Sequence, residues 1–167
     1  MEQIREEINR HVPVAREARR LFHGRGHCFP DFNDLVIDSY PPVVLITLYR
    51  PKPQPWLQQL LQLLLNTLPQ SPQAVLGQQR DPLPSTTHLL HGCLPEKPVA
   101  LEAGLRYRLR LEHAQNIGFF PDMAVGRALV RNLADGRRVL NLFAYTCNFS
   151  VAALAGKADQ VVNLDMN

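Results

Sequence analysis

The residues best suited to chemistry lie near the end of this 167-residue chain. Asn141-Leu142-Phe143-Ala144-Tyr145-Thr146-Cys147-Asn148-Phe149 forms a polar and aromatic turn between a short apolar run at 138–142 and a stretch of small residues at 150–155. A second apolar run, Val161-Val162-Asn163-Leu164, ends in Asp165, 19 residues after Thr146. Strand, tight turn, helix, then strand ending in an acid is the order of a nucleotide-binding βαβ unit. Free N–H groups at the helix start face the ligand, and the acid accepts hydrogen bonds from ribose hydroxyls. The same order also occurs in α/β domains that bind nothing, so the neighbouring residues must decide.

Those neighbours are specific. Asn141-Leu142-Phe143-Ala144-Tyr145-Thr146 with Phe149-Ser150 follows Gln115-Asn116-Ile117-Gly118-Phe119-Phe120-Pro121-Asp122 and Gly126-Arg127. Together they resemble the large-subunit ribosomal RNA methyltransferase I family, a class I group dependent on S-adenosylmethionine (SAM). Its pattern runs Q-K-T-G-x-F-x-D, then N-R, then N-L-F-x-Y-T-G-x-F-S and V-D. The resemblance is strong over residues 103–165 and rests on layout back to about residue 16. Two positions depart from it. Cys147 stands where the family has glycine, a residue free to adopt a left-handed backbone or to let a ligand approach without a Cβ in the way. Asn116 replaces a lysine. Cys is small and Asn tolerates positive φ, so the turn is still expected to form.

The resemblance implies a SAM site in which residues Phe143 to Phe149, that is Phe143, Ala144, Tyr145, Thr146, Cys147, Asn148 and Phe149, enclose the amino-acid end of the cofactor. Asn141 would support the turn, Asp165 would take the ribose and Met166 would pack on the adenine. Phe119, Asp122 and Arg127 would border the pocket. Cys147, sitting in the cofactor turn, is not a nucleophile. The implied reaction moves a methyl group to a base of RNA, expected in 23S ribosomal RNA. Carbon 5 of cytosine and nitrogen 7 of guanine both stay open as acceptors, and the catalytic residues are expected beyond Asn167. A non-catalytic RNA-binding module with a decayed cofactor loop is the competing reading. A dinucleotide oxidoreductase is disfavoured because no G-x-G-x-x-G follows the strand.

Composition sets the frame around this unit. The chain is 46% hydrophobic and 20% charged, ordinary for a globular protein, with a net charge of +3 and a pI near 9.0 that lean towards an anionic partner. No apolar run reaches the roughly 20 residues needed to cross a bilayer, so no membrane association and a cytoplasmic location are expected. Cys28, Cys93 and Cys147 are odd in number and widely spaced, which suits a reducing compartment. Two small clusters, His23 with His27-Cys28 and His88 with His91 and Cys93, lack metal-ligand spacing, and no metal is expected.

The elements that must hold the turn follow from periodicity. Residues 2–22 read as a helix kinked at Pro13, with Ile4, Ile8, Val12 and Ala15 on its apolar side and Arg16, Arg19 and Arg20 in a basic cluster joined by Arg25. Residues 35–40 and 43–49 read as a strand hairpin about Pro41-Pro42. A leucine-rich helix at 56–68 is stopped by Pro69, residues 74–76 suit a strand, and 81–98 reads as a proline-rich loop. A second hairpin over 99–111 puts Leu105, Tyr107, Leu109 and Leu111 on one face and Arg106, Arg108 and Arg110 on the other. These three arginines, with Arg25, are the RNA-contact candidates. Asp122 reads as the N-cap of a helix through Ala134, with Val125, Ala128, Leu129 and Leu133 buried and Arg127 and Arg131 outward.

The fold class expected is therefore α/β. Residues 1–98 would form a small α+β domain, of substrate-recognition type by resemblance. Residues 99–167 would form a hairpin and the first βαβ portion of a Rossmann-like class I SAM methyltransferase domain. Two parallel strands do not make a doubly wound sheet, so the chain reads as the N-terminal part of a longer protein. The uncovered strand faces leave self-association into a homo-oligomer open.

Overall fold

The structure, a computed structural model, describes residues 1–11, 16–26, 28–112 and 115–166. Val12, Pro13, Ala15 and His27, which enter the readings above, lie outside the described residues. The first part of the chain runs α1 (Glu2–His11), β1 (Arg19–His23), β2 (Leu35–Tyr40), β3 (Val43–Leu48), α2 (Gln54–Thr67), β4 (Ala74–Gln79) and β5 (Thr86–Gly92). The second runs β6 (Val99–Glu102), β7 (Leu105–Arg108), a 3-10 turn (Pro121–Met123), α3 (Ala124–Leu133), β8 (Arg138–Leu142), α4 (Asn148–Ala155) and β9 (Gln160–Leu164).

Strands β1 to β5 form one sheet in chain order, antiparallel except for the parallel β3–β4 pair that α2 bridges. Every residue of β2 and β3 is buried, Asp38, Ser39 and Thr47 among them, as befits strands covered on both faces. On one face lie α1 and α2, with Ile4, Ile8, Leu60, Leu63 and Leu64 packed on Leu35, Ile37, Val44 and Ile46. Each fully buried leucine there is worth about 1.5–3 kcal/mol. On the other face, Tyr40, Val43, Leu45 and Leu76 meet Tyr107, Leu109, Leu111, Ile117 and Phe119. The second half of the chain is thus seated directly on the sheet. Strands β8 and β9 pair in parallel, Asn141 opposite Asn163, with α4 between them in sequence.

Four local expectations are corrected. The first helix ends at His11, and Arg19, Arg20, Leu21 and Phe22 belong to strand β1. A register shift between Arg20 and Phe22 lets both Leu21 and Phe22 be buried, so the strand lacks the strict alternation that marks one in the sequence. The proline-rich loop contains β5, an exposed edge strand whose weak apolar content hid it. Asp122 makes no cap hydrogen bond and sits in the 3-10 turn.

The fourth correction is the orientation of α3, which is reversed. Val125, Leu129 and Leu133 are exposed, while Arg127 is only 2% accessible. The inward stripe is Ala124, Arg127, Arg131 and Ala134, spaced for one helix face. It docks because Glu102 on β6 meets Arg127 in a two-point ion pair. Close approach to α4 selects the same orientation: a Cβ at Gly156 would lie 2.0 Å from the Arg131 carbonyl oxygen.

Candidate functional site

The turn after β8 is built from three consecutive left-handed kinks. Phe143, Tyr145 and Cys147 have φ of 56°, 47° and 60°, and alternate with residues of ordinary backbone. This winding aims Ala144 N–H at the Leu164 carbonyl of β9 and Cys147 N–H at the Ala144 carbonyl, which closes the turn before α4 begins. Cys147 is the residue just before α4 and takes a left-handed conformation, one that glycine adopts without a Cβ penalty, so the turn forms here without a glycine. The N–H groups of the first turn of α4 lack intrahelical acceptors and face the same end of the strands.

Asp165 lies at the mouth of the turn. Its Oδ2 accepts a hydrogen bond from Tyr145 N–H, and Oδ1 has no hydrogen-bond partner among the described residues. The turn is open: Phe143 is 75% exposed, Tyr145 50% and Met166 81%, so no side chain packs it shut. An outward carboxylate, free helix N–H groups and exposed aromatic and thioether side chains fit a ligand with a ribose, a polar end and an apolar ring.

Beneath the turn, a polar knot centred on the buried Ser150 joins its three elements. Asn141 Nδ2 donates to Ser150 Oγ at 2.8 Å and to Asn163 Oδ1 at 3.2 Å, and Ser150 Oγ is also hydrogen-bonded to Asn163 Oδ1. It ties β8, α4 and β9 together and satisfies the buried Ser150 hydroxyl, while Asn163 lies at the exposed side. Asn141 was expected to support the turn. Asn163 was not identified; the available signal was a polar residue in mid-strand, in register with Asn141.

The loop at 116–118 straps the other side. Thr146 Oγ1 and Asn148 Nδ2 both donate to the Gly118 carbonyl, at 2.6 and 2.9 Å, and the Tyr145 hydroxyl donates to the Asn116 carbonyl at 3.1 Å. Gly118 has φ of +94°, which presents that carbonyl to the turn. Thr146 and Asn148 are thereby positioning residues, their side chains committed to the loop.

The remaining site candidates separate. Phe119 is buried against Tyr107, ring centroids 4.9 Å apart, with the Arg127 guanidinium 4.3 Å above its own ring. Arg127 spans Glu102 at 2.7 Å through two nitrogens and donates to the Phe120 carbonyl at 3.0 Å, so it anchors the loop from below and does not point outward. Asp122 turns away, its carboxylate 3.7 Å from Arg20. Arg106, Arg108 and Arg110 are exposed opposite Tyr107 and Leu109, as alternation requires, whereas Arg25 sits over Tyr49 in a separate cleft. Among the described residues no group of three or more His, Cys, Asp or Glu could hold a metal ion, and no helix is long and apolar enough to cross a membrane.

This geometry coincides with a family pattern. The model of the S-adenosylmethionine-dependent methyltransferases matches residues 19–167. The chain belongs to that methyltransferase family. A ribosomal RNA large subunit methyltransferase of Deinococcus radiodurans is 32% identical over 156 residues, covering 89% of this chain and 37% of the relative. A ribosomal RNA large subunit methyltransferase I of Shewanella amazonensis is 29% identical over 138 residues, covering 80% of this chain and 35% of the relative. The chain therefore spans little more than a third of the length of either. A Streptococcus mutans protein described as a SAM-dependent methyltransferase superposes with a TM-score of 0.81 at 26% identity, over 99% of this chain and 45% of that one. A second solved structure, described as a methyltransferase complexed with SAH, matches with the same score and identity. The α/β fold expected from the sequence, with the opening βαβ portion of a Rossmann-like methyltransferase domain, is the one these structures share.

Proposed function

We propose that this chain carries the cofactor-binding start of a SAM-dependent methyltransferase that acts on a base in RNA, with ribosomal RNA as the expected substrate. The observation that carries the reading is the open, left-handed turn of residues 143–147 with the Asp165 carboxylate at its mouth. The names of the Deinococcus and Shewanella relatives support the choice of ribosomal RNA. Retention of the left-handed turn at Cys147 favours a working cofactor site over a decayed one.

SAM, when bound, supplies an electrophilic methyl group on its sulfonium. The chain's own part is to bind and orient. Asp165 Oδ1 is the acceptor for ribose hydroxyls, Met166 offers a polarisable surface to the adenine, and residues 143–149 hold the amino-acid end through backbone groups. Asn141, Thr146 and Asn148 fix the turn, Phe119 belongs to the loop that borders it and Arg127 anchors that loop from α3 through the Phe120 carbonyl, while Asp122 is turned to Arg20. Precise placement of donor and acceptor is where such a site gains most of its rate. In this reading residues 1–98 recognise substrate and residues 99–167 begin the catalytic domain. Arg25, Arg106, Arg108 and Arg110 contact RNA, and the protein works in the cytoplasm. Self-association would use the apolar face of β8 and β9, where Leu140, Leu142, Val162 and Leu164 are exposed.

Calorimetric titration of SAM into the intact protein tests the site. Asp165→Asn keeps an oxygen for Tyr145 N–H but loses the charge, and should weaken binding by about tenfold, the worth of ~1.5 kcal/mol for a hydrogen bond to a charged group. Binding as tight as the parent's would refute the ribose assignment.

A further inference from the structure

A second concave site lies across the 117–122 loop from the cofactor turn, between that loop and the outward face of β1, β2 and β3. It is about 200 Å3 and is lined by Arg20, His23, Arg25, Tyr49, Arg80 and Phe120, among others. Its charges are unevenly matched. Arg20 is paired with Asp38 at 2.9 Å and lies 3.7 Å from Asp122. Arg25 and Arg80 have no carboxylate partner among the described residues.

Both unpaired guanidiniums are ordered by one ring. Arg25 lies 4.1 Å and Arg80 5.8 Å from the centroid of Tyr49. Arg80 is further fixed by bonds to Gln78 Oε1 at 2.9 Å and to the Gln115 carbonyl at 2.6 Å. Two pre-ordered guanidiniums without counter-charges are a phosphate-binding arrangement, because each offers several donors in a rigid plane and little side-chain freedom remains to be lost. The positive field is felt locally: burial, then Arg20 and Arg25, hold the His23 imidazole below its ordinary value.

The floor and far wall suit a flat ring. The cleft is smaller than the roughly 300–1,000 Å3 of drug-sized pockets, so it has room for one ring system with its phosphate at the rim. Phe120, exposed at the wall, has its ring centroid 6.1 Å from that of Tyr145 in the cofactor turn. Unstacked RNA bases are characteristically received on aromatic side chains.

Resting on the RNA reading above, we propose that this cleft seats one nucleotide of the substrate RNA, its phosphodiester on Arg25 and Arg80 and its base against Phe120. A nucleotide held there is one loop away from the cofactor turn. Arg80 and Phe120 thereby join Arg25 in the RNA-contact set, and Tyr49 acts as a positioning residue for both arginines.

The test uses the intact protein and a fluorescein-labelled single-stranded oligouridylate, with anisotropy recorded over a range of salt concentrations. Arg25→Ala removes an exposed side chain. It should weaken binding ~10-fold at low salt and reduce the log–log salt slope by about 0.7, the loss of one phosphate contact to a single strand. Arg137→Ala, an exposed arginine outside the cleft, should change neither. SAM binding to Arg25→Ala, measured by calorimetry, should equal that of the parent. The proposal is overturned if the parent shows no salt-dependent affinity for the oligonucleotide, if Arg25→Ala binds like the parent, or if both arginine variants lose affinity equally. Failure of the parent to bind SAM would instead remove the methyltransferase reading, and leaves the anisotropy result as a separate measurement.

Discussion

Replacement of Cys147 by glycine should stabilise this protein, against the usual direction of glycine substitutions. Cys147 has φ 60° and ψ 26°, in the left-handed region, directly before α4. There an L-residue's Cβ crowds the following carbonyl at a cost of about 1–2 kcal/mol. Glycine escapes that cost but loses roughly 0.5–1 kcal/mol through the greater freedom of its unfolded chain. At the midpoints of these ranges the difference leaves Cys147→Gly more stable by about 0.8 kcal/mol, with the Cys147 side chain making no hydrogen bond among the described residues that would be forfeited. At about 2–4 °C per kcal/mol for a domain of this size, the melting temperature should rise by roughly 1–4 °C in scanning calorimetry. Cys147→Ala keeps the Cβ and therefore the strain, so it should leave stability within about 0.5 kcal/mol of the parent. A glycine variant no more stable than the alanine variant would refute the strain argument. It would mean that the turn of residues 143–147 relaxes around Cys147 or that the cysteine packs more favourably than its half-burial suggests.

Two further outcomes follow from buried and part-buried charge. Arg127→Ala strands Glu102 in a half-buried position and should cost about 3–5 kcal/mol, whereas the paired change Arg127→Met with Glu102→Leu should recover most of it; equal thermal losses in the two would show that the ion pair is not what seats α3. His23 should titrate below its ordinary value of 6.5 in an NMR pH series on the intact protein, and Arg25→Ala should move its midpoint upward. Because the folded value is the lower one, the unfolded chain binds the extra proton first. The contribution of His23 is therefore present above pH 6.5 and is lost as pH falls through the folded value. Asp38 and Asp122 act in the opposite sense on the same ring, so a midpoint above 6.5 would mean that they outweigh burial and the two arginines.

Arg127 also shows where reading the sequence stops short. The period of α3 was legible, but its phase was not. A helix with Val125, Leu129 and Leu133 on one side and Arg127 and Arg131 on the other is ordinarily buried on its apolar side. Here the partner that inverts the preference, Glu102, is 25 residues away on β6 and invisible to any local pattern. The two hydrogen bonds to Glu102, a third to the Phe120 carbonyl and the faces of Phe119 and Tyr107 together satisfy a guanidinium that would otherwise be costly to bury. Strand β1 was misread for a related reason. Leu21 and Phe22 are both buried only because a shift in register beside Arg20 turns two neighbours inward, which a strict two-residue alternation does not anticipate.

The geometry of the candidate site was more legible than its surroundings because its contacts are local. Residues 141–149 and Asp165 are brought together by one helix and one parallel register, Leu142 beside Leu164, so a strand–turn–helix–strand pattern suffices to place the acid at the turn. What the pattern did not contain was the support from outside that unit. The Gly118 carbonyl takes bonds from Thr146 and Asn148 across 28 and 30 residues of chain. Arg127 holds the neighbouring Phe120 carbonyl, and Tyr40 and Phe119 pack edge to face at 6.3 Å to carry the loop onto the five-stranded sheet. The loop that braces the cofactor turn is therefore itself braced by the part of the chain proposed to recognise RNA. A change at the sheet face, such as the loss of Tyr40, would reach the turn through Phe119 and Gly118 without touching either ligand.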